Sequence, residues 1–341
     1  MDLRELTGSG APGVEISSLA YSTGDVAAGS LFFCVRGFRA DGHDFAQAAI
    51  DNGAVALVCE RPLGLGVPEV LVDDARASMG PIAARFYGRP TEQLRVVGIT
   101  GTNGKTTTAF LVRSILEATG TRCGLIGTVK YVVGGAEQQA VRTSPEAIEL
   151  QRSFREMLDA GDGACAMEVS SHALELHRAA GIDWACRVFT NLTQDHLDFH
   201  KTMEDYFLAK RRLFVDGDAP SVVNVDDPYG RRLAEQVDAI TYSIEGDTHI
   251  RATGVEFDAS GAAFRVETPD GAADVRIRLP GLFNVSNALA ALGAVLQLGV
   301  SLEDAVAALA DAERVPGRLE PVDEGQDFAV LVDYAHTPDS L

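Results

Sequence analysis

Gly98-Ile99-Thr100-Gly101-Thr102-Asn103-Gly104-Lys105-Thr106-Thr107-Thr108 stands between two apolar segments of different period. Leu94 to Ile99 is a short apolar run of strand type, and from Ala109 to Ala118 the apolar residues recur at helical spacing. The glycines therefore fall on a strand-to-helix turn, the setting in which a Gly-rich loop cradles phosphate. Glycine lets the backbone approach closely, the loop amides and helix N-terminus add positive potential, and Lys105 supplies a mobile cation for the outer phosphates. Gly101, Thr102, Asn103, Gly104, Lys105, Thr106 and Thr107 are the expected nucleotide contacts, with the Thr106 hydroxyl offered to magnesium. Five residues separate Gly98 from Gly104, one more than the usual phosphate loop allows. Gly-Lys-Thr at a helix start is what sets the stretch apart from an ordinary glycine turn.

Outward from this loop, 341 residues suffice for two domains with cores of their own. An apolar share of 46% and a charged share of 23% are those of a soluble globular chain. No run of about 18 apolar residues is present. Met1 to Gly10 lacks the basic start and apolar run of an export signal, so a cytoplasmic location is expected. Cys34, Cys59, Cys123, Cys165 and Cys186 are odd in number and widely spaced, which fits a reducing compartment. A net charge of -20 argues against nucleic acid and anionic membrane as partners, so an anionic substrate has to be met by local cations and metal.

From Val14 to Pro90, strand and helix signals alternate as in a small α/β unit: strands over 30–35, 55–59 and 70–72, helices over 44–52 and 75–87. Gly88-Arg89-Pro90 breaks the pattern. Beyond the loop helix, strands are predicted over 123–128, 130–133, 164–169, 184–190 and 222–224, and a helix over 203–214. Thr143-Ser144-Pro145-Glu146 reads as an N-cap with Pro in the first helical position. The segments 250–266 and 273–279 alternate like antiparallel strands. A long apolar helix opens near Pro280 and ends near Gly299, and 328–332 is a last strand.

Glu168 closes its strand, where a carboxylate beside a phosphate loop can reach the nucleotide's metal; a helix-capping role is the alternative. His196 and His200 share a helix face as zinc ligands can, but Leu197 follows where a zinc protease has Glu, and no third ligand is near. His200 is then a surface or capping residue. Lys210-Arg211-Arg212 suits the end of a helix through its dipole.

Thr-Gly-Thr-Asn-Gly-Lys-Thr-Thr, at 100–107, resembles the nucleotide loop of the Mur ligases, which join amino acids to the cell-wall precursor. Gly29 to Gly37 and Asp41-Gly42-His43-Asp44-Phe45 resemble the uridine-binding first domain of that family. Ser22 keeps a family position there, although Tyr21 and Thr23 replace its charged neighbours. Asn191 to Asp198 resembles the signature whose histidine, here His196, binds a second magnesium, and Lys210 in Leu-Ala-Lys-Arg-Arg-Leu-Phe matches the lysine the family carbamylates. The resemblance further implies that Asn287, Asn284, Arg318, Asp333 and His336 meet ATP. It also implies that Thr143, Ser144, Ser170 and Arg178 meet the peptide substrate; Leu176, before His177-Arg178, stands where many relatives carry Gln.

The implied fold is α/β: a small N-terminal α/β domain, residues 1–90, for the UDP precursor, then a P-loop-type central domain, 91–320, with a mainly parallel sheet and a β-rich extension. Residues 321–341 would begin a third, Rossmann-like domain. The implied activity is ATP-dependent addition of a diamino acid, meso-diaminopimelate or L-lysine, to UDP-N-acetylmuramoyl-L-alanyl-D-glutamate through an acyl phosphate. Thr106, Glu168, His196 and carbamylated Lys210 would hold magnesium, and a monomer is expected. A folylpolyglutamate synthetase and a nucleotide-binding module without turnover are the rival readings.

Overall fold

The computed structural model describes residues 1–335 apart from 259, 313, 323, 327 and 329. Chain packing separates two compact units: Met1–Glu92 with Pro145–Arg155 and Glu175–Ile182, and Gln93–Ser144 with Glu156–Leu174 and the chain from Asp183 onward. The first unit therefore draws on two later segments that a cut near residue 90 does not include.

In the first unit, β1 (Ser18–Ala20), β2 (Ser30–Phe33), β3 (Ala54–Cys59) and β4 (Glu69–Leu71) form a four-stranded parallel sheet in chain order. Strands of such a sheet are covered on both faces and so read as unbroken apolar runs. Leu31, Phe33, Ala56 and Val58 pack with Met79 and Ala83 of α3 (Ala75–Phe86) and with Leu3 and Leu6 of α1 (Leu3–Thr7). The alternate residues Phe32, Cys34, Leu57 and Cys59 pack with Ala46 and Ala49 of α2 (Ala46–Asp51). The alternation follows from the two-residue period of a strand.

The second unit is built on an eleven-stranded sheet. Its parallel centre runs β12 (Ala239–Ser243), β11 (Ser221–Asn224), β10 (Trp184–Phe189), β5 (Arg95–Thr100), β9 (Ala164–Glu168), β6 (Cys123–Ile126). On one flank β7 (Lys130–Val133) and β8 (Ala136–Gln139) add antiparallel strands. On the other, β13 (Ile250–Asp258) pairs parallel with β12 and carries the antiparallel β14 (Gly261–Thr268) and β15 (Gly271–Ile277). These are the parallel sheet and β-rich extension expected from the sequence.

One layer over this sheet is made by α4 (Lys105–Ala118), α10 (Leu282–Gln297) and α11 (Leu302–Ala310), whose apolar faces share a core with Val97, Ile99, Val188 and Val222. From Ala288 to Leu296 helix α10 is apolar around its whole circumference, as a buried helix segment has to be. The remaining helices are α5 (Ala147–Asp159), α6 (Ser171–Glu175), α7 (Leu197–His200), α8 (Met203–Val215) and α9 (Pro228–Ala234). Beyond α11, β16 (Glu320–Val322) and β17 (Val330–Val332) pair antiparallel. No helix among the described residues is long and apolar enough to cross a membrane.

Two local expectations are corrected. Helix α5 starts at Ala147, so Pro145 precedes it, and the Thr143 and Ser144 side chains bond elsewhere. His200 is buried at 5% exposure, because its ring stacks on Tyr206 and its Nε2 reaches Ser171 Oγ at 2.8 Å.

Candidate active site

Register puts Ile99 opposite Glu168 and Thr100 opposite Phe189, so β5, β9 and β10 end level with one another. The residues following these three ends build the site. After β5 the chain turns through Gly101 and Gly104, the latter left-handed at φ 85°. A Cβ on Gly104 would lie 2.3 Å from Asn287 Oδ1, so any other residue here is strained by backbone angle and has to displace the Asn287 amide. No side chain caps α4, which leaves its first amides free for a phosphate. Lys105 Nζ donates to the carbonyls of Gly101 at 2.9 Å and Thr102 at 2.8 Å.

Asn191, just past β10, clamps this loop. Its Oδ1 accepts from Asn103 N at 2.8 Å, its Nδ2 donates to Asn103 O at 3.1 Å, and its carbonyl accepts from Thr102 N at 2.9 Å. Sequence reasoning gave Asn191 no role of its own; a buried-strand end followed by Asn, facing a loop with amides to satisfy, was the available signal.

The end of β9 supplies Glu168. Its carboxylate accepts from Thr106 Oγ1 at 3.0 Å, Thr128 N at 2.8 Å and Thr128 Oγ1 at 3.1 Å. Thr143 Oγ1 lies 3.0 Å from Thr128 Oγ1, and Ser144 Oγ donates to Glu168 O at 2.9 Å while accepting from Ser170 N at 3.1 Å. Three of the four residues expected along the peptide path thus hold Glu168 in place, Ser144 and Ser170 at its backbone and Thr143 through Thr128.

Past β10, His196 takes a left-handed backbone, φ 52°, at the head of α7. Its Nε2 lies 3.4 Å from Asp195 Oδ2. Burial pushes its imidazole below the ordinary histidine range, with Asp195 pulling the other way. Lys210 on α8 is buried at 1% exposure, with Nζ donating to Gly101 O at 2.8 Å and lying 4.6 Å from the Tyr206 ring. Loss of hydration, then the charge of Lys105, hold its amine well below the usual lysine range. Loss of hydration likewise lowers Lys105, against the opposing charge of Glu168.

Lys105, Thr106, Glu168, Asp195, His196 and Lys210 line one cavity of about 150 Å³. Beside it a larger one, about 500 Å³, is lined by Asn103, Gly104, Thr106, Thr107, Asn284, Asn287, Arg318 and Asp333 together with apolar Leu279, Phe283 and Tyr334. Thr106 and Arg318 border both, and Arg318 Nη2 lies 3.3 Å from Thr106 Oγ1. A polar, cationic chamber joined to a part-apolar one suits a nucleotide, phosphates in the first and base in the second. His336 lies outside the described residues.

Ser22 and Arg178 belong to the first unit. Ser22 Oγ accepts from Gly24 N at 3.3 Å, and Arg178 forms an ion pair with buried Glu146, 3.0 Å from Nε to Oε1, that Arg76 shares at 2.8 Å.

Among the described residues no three His, Cys, Asp or Glu side chains converge on a metal position. A divalent ion here therefore needs other donors, and the Thr106 hydroxyl beside the Glu168 carboxylate is a hard oxygen pair of the kind magnesium takes.

Comparison with known proteins agrees with this geometry. The family model described as Mur ligase middle domain matches residues 99–295, and that described as Mur ligase family, catalytic domain, matches 15–87. A UDP-N-acetylmuramoyl-L-alanyl-D-glutamate--2,6-diaminopimelate ligase of Geobacillus kaustophilus is 50% identical over 337 residues, 96% of this chain and 69% of the relative. A solved structure of a ligase with that same name superposes with a TM-score of 0.87 at 28% identity, covering all of this chain and 72% of the other. A folylpolyglutamate synthase of Mycobacterium tuberculosis shares the fold alone, with a TM-score of 0.63 at 17% identity over 77% of this chain and 68% of its own. A phosphate loop, a strand-end glutamate, a left-handed histidine and a buried lysine meet around one cavity in a chain half identical to such a ligase, and the chain belongs to the Mur ligase family.

Proposed function

We propose that this chain is the part of a cytoplasmic, ATP-dependent amide ligase that binds ATP and UDP-N-acetylmuramoyl-L-alanyl-D-glutamate and attaches 2,6-diaminopimelate to the latter. The observation that carries the reading is the shared cavity of Lys105, Glu168, His196 and Lys210. The names of the relatives supply the substrates. Residues 1–90 take the nucleotide-sugar, with Ser22 and Arg178 among its contacts, and 91–320 take ATP; the protein acts as a monomer.

A carboxylate is a poor electrophile, so the terminal D-glutamyl carboxylate first attacks the γ-phosphorus of ATP and ADP leaves. The amine then attacks the resulting acyl carbon, phosphate departs, and the amine loses its proton as the amide forms. Lys105 and the α4 amides hold the phosphoryl oxygens and offset the charge that gathers on them. Magnesium, which Thr106 with Glu168 and His196 with modified Lys210 would hold, would supply further charge neutralisation.

Lys210 takes part after modification. Its buried amine has a carbonyl acceptor and no carboxylate partner within bonding reach among the described contacts. With its proton affinity lowered, the amine is a nucleophile toward carbon dioxide. A nitrogen–carbon bond forms, one C=O pair moves to oxygen, a proton leaves the nitrogen, and a cation becomes an oxygen ligand.

The test is phosphate release from ATP, with amide product followed by mass spectrometry. Release that requires both the muramoyl dipeptide and diaminopimelate, with L-lysine a poor replacement, is the expected result. A rate that depends on folate would reject the reading.

A further inference from the structure

Tyr206 stands one helical turn before Lys210 on α8, is buried at 1% exposure, and touches three parts of the site. Its ring lies 4.6 Å from Lys210 Nζ. Its hydroxyl is 3.2 Å from Thr102 Oγ1 of the phosphate loop. His200 stacks on it with centroids 5.0 Å apart and an interplanar angle of 27°, and His200 in turn reaches Ser171 Oγ at 2.8 Å. A ring tied at its edge and stacked on a neighbour that is itself tied has one orientation.

That orientation matters for Lys210. Its nitrogen has the aromatic ring on one side and the Gly101 carbonyl, 2.8 Å away, on another. A substituent added to the nitrogen therefore has the cavity as its open direction. The hydroxyl acts elsewhere. Thr102 Oγ1 also meets Thr193 O at 3.2 Å and Thr193 N at 3.0 Å, so the phenol completes a set of bonds that fixes the loop.

We propose that Tyr206 is a positioning residue of the ligase: its ring directs the group carried by Lys210 into the cavity, and its hydroxyl holds Thr102 so that the phosphate loop keeps its shape. The inference rests on the reading of Lys210 given above. Substitution separates the two roles, since Tyr206→Phe keeps the ring and Tyr206→Leu removes both.

The experiment uses the whole chain in ¹³C-bicarbonate, with the carbamate carbon read by NMR, and titration with the magnesium complex of a non-hydrolysable ATP analogue. Tyr206→Phe should keep the carbamate signal and bind the nucleotide roughly three- to tenfold more weakly, as the loss of one hydrogen bond predicts. Tyr206→Leu should show a roughly three- to tenfold smaller carbamate signal, the factor expected when a side chain fixed in one direction by its neighbour regains its rotamers. A folded Tyr206→Leu with an undiminished signal overturns the role of the ring, and unchanged nucleotide affinity in Tyr206→Phe overturns that of the hydroxyl. If Tyr206→Leu does not fold, Tyr206→Trp replaces it: an aromatic wall that preserves the signal supports the proposal, and a lost signal overturns it. Absence of any carbamate from the parent chain rejects the modification itself, a result distinct from these.

Discussion

At the scale of single residues the site depends on positions where a substitute is strained. Gly104→Ala puts a Cβ 2.3 Å from Asn287 Oδ1 at a left-handed backbone angle. A free loop that shifts to relieve strain of about 1–2 kcal/mol has to be returned to shape by the nucleotide, which corresponds to about a tenfold loss of affinity, to be seen by calorimetric titration with an unchanged far-ultraviolet spectrum. His200 makes a different prediction. Burial, then the neighbouring His172 charge, bring its pKa down to about 4 from 6.5. Between these values the unfolded chain binds the proton that the folded chain refuses, so stability falls as pH drops from 6.5 toward 4. The loss attributable to this ring is about 3 kcal/mol by the lower end. His200→Gln should remove that part of the acid sensitivity, measured by urea unfolding at neutral and acid pH. Unchanged sensitivity would contradict it.

The letters carried much of this scale. Gly-Lys-Thr announced the phosphate loop, and Glu168, His196 and Lys210 could be nominated from strand ends and resemblance. Their convergence on one cavity was expected from the resemblance alone; no local signal carries it, because it depends on the register that sets β5, β9 and β10 level. Asn191 and Tyr206 were passed over for the same reason: each works through the backbone or side chain of a distant residue.

Among elements, α8 is the one whose placement matters most, since it carries both Tyr206 and Lys210. Thr202 caps its start, accepting from Asp205 N at 3.0 Å. Its end is held by Arg187, a β10 residue at 3% exposure that donates to the carbonyls of Leu213, Asp216, Gly217 and Ala219. A planar fork with several donors can serve this many acceptors, whereas one ammonium cannot. Arg187→Leu should cost about 3 kcal/mol through unmet buried carbonyls, with Arg187→Lys recovering little, in thermal or urea denaturation. Stability equal to the parent would refute the clamp. Elements with strong period, such as α4 and α10, were legible in the sequence, but β8 was not. Ala-Glu-Gln-Gln has no strand signal, is exposed throughout, and is a strand because β7 offers it partners.

For the whole molecule, two units with separate cores imply two unfolding transitions. The phosphate loop belongs to the second. A magnesium–nucleotide complex at about a hundred times its Kd adds about 3 kcal/mol to the unit that binds it. That raises its midpoint by roughly 5–10 °C and leaves the first transition where it was, a pattern that differential scanning calorimetry resolves. Equal shifts in both would argue against nucleotide binding confined to the second unit.

The five sulfhydryls turn this division into a measurement. All are hidden, and exclusion of water drives their acidity down: Cys34, Cys123 and Cys186 ionise only at about 12, Cys59 at about 11, and Cys165 well above the ordinary value. An alkylating reagent therefore ignores the closed protein and marks only molecules that have come open. Cys34 and Cys59 report on one body, Cys123, Cys165 and Cys186 on the other. Peptide-resolved tagging rates thus give each body its own opening clock, with no label to be engineered in.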